Sequence, residues 1–444
     1  GMTQRGRIEA AKTGVRMNTD AIDNSAGVDC SDHEVNIKIL LNGEMNSGKL
    51  TLKARNKLLV DMTDEVADLV LRDNYQQTQT ITQLQQRGSS ILEDQVRMMK
   101  VLERQGLLNR EIEYLPSDEE LQERAALGQG LFRPELSVFL PYGKMWLYDK
   151  IVVSDLPDDP LVEEDLVTYF PTKLRKTYIE GIKRHKLRRE IIATVITNSF
   201  VNRVGPSFLT NIMDRTGMGP VDIARAYTVT RAAYGLRELW NAVESLDNKV
   251  PAEIQIDMLL EIARMIERSV LWMLRHTPTP INMAATIKKI KPGADELRKT
   301  LPNVWSDEVA AYVKIQTDSY MESGVPKKIA HDVATIYRIA SANEISTTAE
   351  ATKNTQANVA KIYFLVGQRF GLDSLRARTE NFSSGTHWDK LAMSAAIEEL
   401  YGHQATITRA VITGTKTKTV AAAKALETWI ERNAPSIDRY DQVL

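Results

Sequence analysis

The 444 residues carry 57 basic and 58 acidic side chains and are 43% hydrophobic. That is enough apolar material for two or three domain cores, with no net field to gather nucleic acid or an anionic membrane. Cys30 is the single cysteine, so no internal disulfide can form, and no apolar run reaches the roughly 18 residues a membrane-spanning helix needs. Cytoplasmic placement is the simplest reading. Glycine (23) and proline (15) are sparse, so turns are few, helices are long, and the chain beyond its first stretch is predicted to be all-α.

Gly1-Met2 reads as a remnant of tag removal, and the residues after it have the pattern of neither a secretory signal nor a targeting helix, so the chain is expected to begin inside a domain. Residues 1–30 are expected to hold the last helix and strand of a dinucleotide fold, with Arg16-Met17-Asn18 as a strand fragment. The segment Asp23 to Glu34 then concentrates polar chemistry. Asn24, Gly27 and Ser31 are assigned to a turn, and Ser31 with Glu34 has the spacing of a capping box, which starts a helix at Ser31. Val35, Ile37 and Ile39 alternate with polar residues at a strand's period, but the cap and Leu40-Leu41 favour helix.

Asn42 to Lys49 is predicted as a connection. Its Gly43 to Lys49 spacing fits a phosphate-cradling loop until Leu50 stands where the magnesium-binding hydroxyl belongs. From Leu50 to Gly106 three helices are expected, broken near Asp61-Met62-Thr63 and at Gly88-Ser89-Ser90, with Thr63 capping and Asp64 and Glu65 in the first turn. The Gln-rich run from Tyr75 to Gln86 has an apolar edge at Leu69, Ile81 and Leu84 and reads as a wet helix.

Beyond Ser117, breakers such as Leu156-Pro157-Asp158-Asp159-Pro160 and Thr277-Pro278-Thr279-Pro280 separate further helices. One spans Leu187 to Val204, where a row of Thr194, Asn198 and Asn202 is assigned to bonding with a neighbouring helix. The clearest runs from Pro251 to His276, with Ile254, Met258, Ile262, Ile266, Val270 and Leu274 forming one apolar stripe. The basic run Lys183-Arg184-His185-Lys186, followed by Arg188-Arg189, has no interleaved aromatics and reads as a solvated or interface face. The six histidines show no metal-ligand spacing, since the zinc-protease pattern begun by His33-Glu34 would need a histidine at Ile37. Cys30 lies beside Asp29 and near Asp32, which disfavour its thiolate, and no catalytic or metal residue is assigned. The six tryptophans read as anchors between packed helices.

Asn24-Ser25-Ala26-Gly27-Val28-Asp29-Cys30-Ser31 resembles the Asn-Ala-Gly-Gly-Val-x-x-Ser segment of the glutamate, leucine, phenylalanine and valine dehydrogenases. The resemblance implies that Asn24 is cofactor-facing and that Val28 and Ser31 are substrate-facing. Gly27 to Ile39, Arg55 to Leu59, Met62 to Val66 and Asp73-Asn74-Tyr75 more specifically resemble the large bacterial NAD-specific glutamate dehydrogenases. It implies a C-terminal piece: residues 1–115 ending the catalytic, dinucleotide-binding domain with a short Rossmann-like remnant, and 116–444 forming a large irregular helical domain. The parent would oxidise L-glutamate to 2-oxoglutarate with NAD as a homo-oligomer. This piece would hold an incomplete NAD site, lack the main catalytic residues, and have no nucleic-acid or membrane partner. The other reading of the helical residues is a non-catalytic interaction or assembly module.

Overall fold

The computed structural model describes residues 1–301, 305, 307–380, 387–415 and 420–441. The protein is 80% helical, with no strand among the described residues. Its chain divides into two compact units, Gly1–Arg225 and Ala226–Leu444.

The first unit holds α1 (Gln4–Lys12), α2 (Asp20–Asp23), α3 (Ser25–Asn46), α4 (Leu52–Asp61), α5 (Thr63–Arg87), α6 (Leu92–Arg104), α7 (Asp118–Ala126), α8 (Arg133–Val152), α9 (Glu163–Tyr169), α10 (Thr172–Thr177), α11 (Ile179–Lys183), α12 (Arg188–Val204) and α13 (Phe208–Thr216). The long helix α8 is its hub, packing on α1, α5 and α12, while α3 lies on α5 and α11. The division point falls within α14 (Pro220–Ala233). The second unit continues with α15 (Leu236–Glu244), α16 (Ala252–His276), α17 (Met283–Thr300), α18 (Asp307–Glu322), α19 (Lys327–Ile339), α20 (Ala342–Thr352), α21 (Gln356–Arg369), α22 (Leu372–Glu380), α23 (His387–Gly414) and α24 (Ala422–Asp441). There α17 packs on α20, and α23 on α20 and α21.

Several expectations hold in detail. The predicted breaks fall between α4 and α5 and at a 3-10 turn over Gly88–Ile91, and Pro251 stands at the N-cap of α16. Met258, Ile262, Ile266, Val270 and Leu274 are buried, and each such side chain removed from water contributes about 1.5–3 kcal/mol. The basic run is only partly solvated: Lys183 meets Glu163 at 2.9 Å and the following Arg188 and Arg189 both pair with Asp158, but His185 is buried. Trp146 and Trp240 are buried as anchors, whereas the side chain of Trp388 lies outside the described residues.

Five local expectations are corrected. No strand forms at Arg16–Asn18; Asn18 instead donates from Nδ2 to Asp23 Oδ1 at 2.7 Å and accepts from Ser137 Oγ at 3.4 Å, so its polar groups serve side chains rather than a ladder. Helix α3 starts at Ser25, six residues before the predicted cap. Asn74 Nδ2 on α5 donates to Ile22 O and Ser25 Oγ, both at 2.9 Å, and Gln77 Nε2 reaches the same hydroxyl at 3.3 Å. This outside anchoring fixes the helix start where no cap pattern marks it. The same helix runs on to Asn46 through the expected connection, because Leu40, Leu41 and Glu44 are buried on the face already carrying His33 and Ile37. Thr63 lies inside α5, with Met62 at the N-cap. Along α12, Thr194 bonds its own helix at Glu190 O, while fully buried Asn202 meets α5 through its backbone carbonyl, which accepts from Thr80 Oγ1 at 2.6 Å.

Two contacts fix the frame around α3 and α8. Any side chain at Gly181 would place a Cβ 2.5 Å from Glu44 Oε1 and 2.8 Å from Leu40 Cδ1, so the glycine lets α11 approach α3 without displacing those two side-chain ends. At the entry to α8, Glu135 accepts from Arg124 Nη1 and Nη2 at 2.6 and 2.8 Å and from the Phe132 N–H at 2.7 Å, with the guanidinium 4.4 Å from the Phe132 ring centroid. Both partners of this bidentate pair are buried.

Candidate functional site

Asn24, Val28 and Ser31 all lie exposed at the start of α3, and Val28 is 69% accessible. Asn24 is the N-cap residue but makes no side-chain cap bond, which leaves its amide available. Val28 and Ser31 are three residues apart within the helix and therefore share its outer side. Ser31 sits in the second turn, away from the helix end, so its hydroxyl is not spent on capping.

The opposite side of the same turns carries a cluster that the linear pattern did not mark. Asp29 and His33, one turn apart, face α5, where Asp73 meets them; one donor atom from each of the three lies within 4.8 Å of the others. Helix α8 brings the Lys144 ammonium, which is attracted by both carboxylates. Burial is the largest cause holding Asp29 well above the usual carboxylate range, followed by repulsion from Asp73 and Asp32. Burial likewise raises Asp73, against Lys144 and Arg72. The two carboxyls lie against each other, which favours a proton held on one of them, and no protein donor reaches Asp29 Oδ2. Lys144 is lowered to about 8 by burial, opposed by the two aspartates.

His33 is 2% exposed, and burial pushes its pKa down to about 4, so its imidazole is neutral at physiological pH. Its Nδ1 has no hydrogen-bond partner. Tyr169 at the end of α9 stacks on the ring, with centroids 4.3 Å apart and planes 14° from parallel. The Tyr169 hydroxyl in turn accepts from Asn36 Nδ2 at 2.9 Å, and burial raises its pKa. Asn36 links onward through its backbone: His185 Nε2 lies 3.0 Å from Asn36 O, while His185 Nδ1 accepts from the Leu187 N–H at 3.1 Å. Because Nδ1 accepts, Nε2 must carry the hydrogen, and this fixes the His185 tautomer. Thus α3, α9 and the turn before α12 hold His33 in one orientation.

Chemically, the cluster offers two carboxylates and a neutral imidazole, with a single ammonium beside them. It can exchange a proton near neutrality or take up a cation. The Asp29-x-x-x-His33 spacing was its only sequence signal; Asp73, Lys144 and Tyr169 come from later helices.

Two family models match the chain, one described as glutamate dehydrogenase, C-terminal, over residues 128–444, and one as bacterial NAD-glutamate dehydrogenase, catalytic domain, over residues 1–84. Together they place the helical chain in the glutamate dehydrogenase class. The chain is 39% identical over 412 residues to the NAD-specific glutamate dehydrogenase of Halomonas elongata, covering 93% of this chain and 26% of that protein. It is 37% identical over 445 residues to the Pseudomonas aeruginosa enzyme of the same name (100% and 27%) and 34% over 403 residues to that of Mycobacterium tuberculosis (90% and 25%). The chain belongs to the bacterial NAD-specific glutamate dehydrogenase family, and it spans about a quarter of the length of these relatives. No helix among the described residues is long and apolar enough to cross a membrane.

Proposed function

We propose that this chain is part of a cytoplasmic, homo-oligomeric enzyme that oxidises L-glutamate with NAD and water to 2-oxoglutarate, ammonia and NADH. The observation that carries this is the similarity to NAD-specific glutamate dehydrogenases along 93% of the chain. Residues 1–115 close the catalytic domain beside its dinucleotide-binding fold, and 116–444 form the helical domain after it. Asn24 borders the nicotinamide end of NAD, while Val28 and Ser31 line the pocket for the substrate's side-chain carboxylate. Their exposure on α3, and the uncommitted amide of Asn24, support this assignment. NAD supplies the hydride acceptor; the protein's part is to hold the Cα–H against it.

The chain by itself is expected to turn over no glutamate, since it spans only a quarter of the relatives' length. Monitoring NADH absorbance with glutamate and NAD for both the purified chain and the intact parent tests the reading. Turnover by the parent but not by the 444 residues supports it. A parent that fails to oxidise glutamate with NAD overturns the activity, and turnover by the chain alone overturns its dependence on the rest. In the parent, Asn24→Ala should raise KM for NAD; an unchanged NAD dependence removes Asn24 from the cofactor site.

A further inference from the structure

We propose that Asp29, His33 and Asp73 form a binding site for a divalent cation of the zinc class. The donor set is two carboxylates and one imidazole, contributed by two packed helices, with one atom of each within 4.8 Å of the others. Donors around a tetrahedral ion of this class stand about 3.5 Å apart, so side-chain rotations of about an ångström close the set.

Two observations point to a ligand beyond the protein. The carboxyls are brought together with no protein donor for Asp29 Oδ2, which leaves that oxygen open to a cation in place of a proton. The second is His33, 2% exposed with Nδ1 unpartnered, and offering a ring nitrogen to the same cluster. A buried ring nitrogen without a partner costs free energy that a coordinate bond would offset. The Tyr169 stack holds the ring in place while leaving its in-plane nitrogens clear. Asn36 bonds the Tyr169 hydroxyl that continues this support, in the manner of the outer residues that orient metal ligands.

Lys144 is the competing cation. Its single charge neutralises one of the two carboxylates, which leaves one negative charge for the incoming ion to meet. Three protein ligands leave the fourth tetrahedral position open to water or another small ligand. The imidazole selects zinc, cobalt or nickel over magnesium, which prefers an all-oxygen shell.

The test uses the full 444-residue chain carrying Cys30→Ser, because the exposed thiol of Cys30 is a second zinc-seeking group. Isothermal titration with zinc after chelator treatment is expected to give one high-affinity equivalent, accompanied by a rise in melting temperature. Asp73→Asn, nearly isosteric, and His33→Ala should each weaken that equivalent at least tenfold. Lys144→Met, which removes the competing charge, should tighten it. Cobalt bound to the Cys30→Ser chain should give a visible absorption band that His33→Ala alters. The proposal is overturned by no saturable zinc binding, by equal affinity in Asp73→Asn and His33→Ala chains that melt cooperatively, by weakened binding in Lys144→Met, or by magnesium binding as tightly as zinc.

Discussion

Replacing His33 with phenylalanine isolates what burial of its imidazole does to stability. The ring is held neutral in the folded protein, its pKa lowered from 6.5 to about 4 by burial. A group with a depressed basic pKa contributes full stability above its unfolded value, and that stability is lost as pH falls from 6.5 through 4, because the unfolded chain takes up the proton first. At pH 4.5 the difference between the two binding curves amounts to about 2.5 kcal/mol. Phenylalanine keeps the stack on Tyr169 and removes the proton site, and no hydrogen bond from Nδ1 is lost. Urea unfolding by circular dichroism, in chelator, should therefore find the variant within about 1 kcal/mol of the parent at pH 7.5. It should be more stable by about 2.5 kcal/mol at pH 4.5. Other titrating groups cancel in this comparison, including Asp29, whose raised pKa acts in the opposite direction. Parallel loss of stability in the two proteins between these pH values would refute the argument.

Arg124→Ala leaves Glu135 buried beside the first turn of α8 without its bidentate partner and should cost about 3–5 kcal/mol in denaturant unfolding, most of it recovered when Glu135→Met is added. A loss below about 1 kcal/mol would mean that water reaches the carboxylate. Ser31→Ala is expected to leave stability unchanged or raise it by about 0.5 kcal/mol, since Ser31 lies exposed within α3 and caps nothing. In the parent enzyme the same change should lower kcat/KM for glutamate about tenfold to a hundredfold by removing a hydrogen bond to a charged group. Unchanged kinetics would remove Ser31 from the substrate pocket.

The sequence was most legible where one helix's own pattern decided its fate. The stripe of α16 and the breaks around α4 and α5 are local properties, and the chain forms them as read. The start of α3 was misread because Ser31 and Glu34 imitate a cap, while the anchoring groups, Asn74 and Gln77, lie some fifty residues downstream. Asn42-Gly43 imitates a turn, yet burial of Leu40, Leu41 and Glu44 carries the helix through it. The site divides in the same way. Asp29 and His33 stand at a visible helical interval, but nothing in the linear order says that Asp73, Lys144 and Tyr169 converge on them. Burial is what holds both carboxyls above their usual range, and burial is a property of the packed helices rather than of any short motif.

One unbroken helix links the exposed Val28 and Ser31 to the half-buried Asp29 and the buried His33. Successive positions on such a rod are separated by about 100°, so its outer and inner faces are locked in angular phase like teeth on one gear. Substitutions at any of these positions alter one face at a time. A single-residue insertion or deletion between Asp29 and His33 instead turns the preceding residues by that angle, moving Val28 off the outer face and Asp29 away from Asp73 together. This stretch can therefore drift in composition far more readily than in length, and anything bound on its outer face stands at a fixed bearing to the paired carboxyls within.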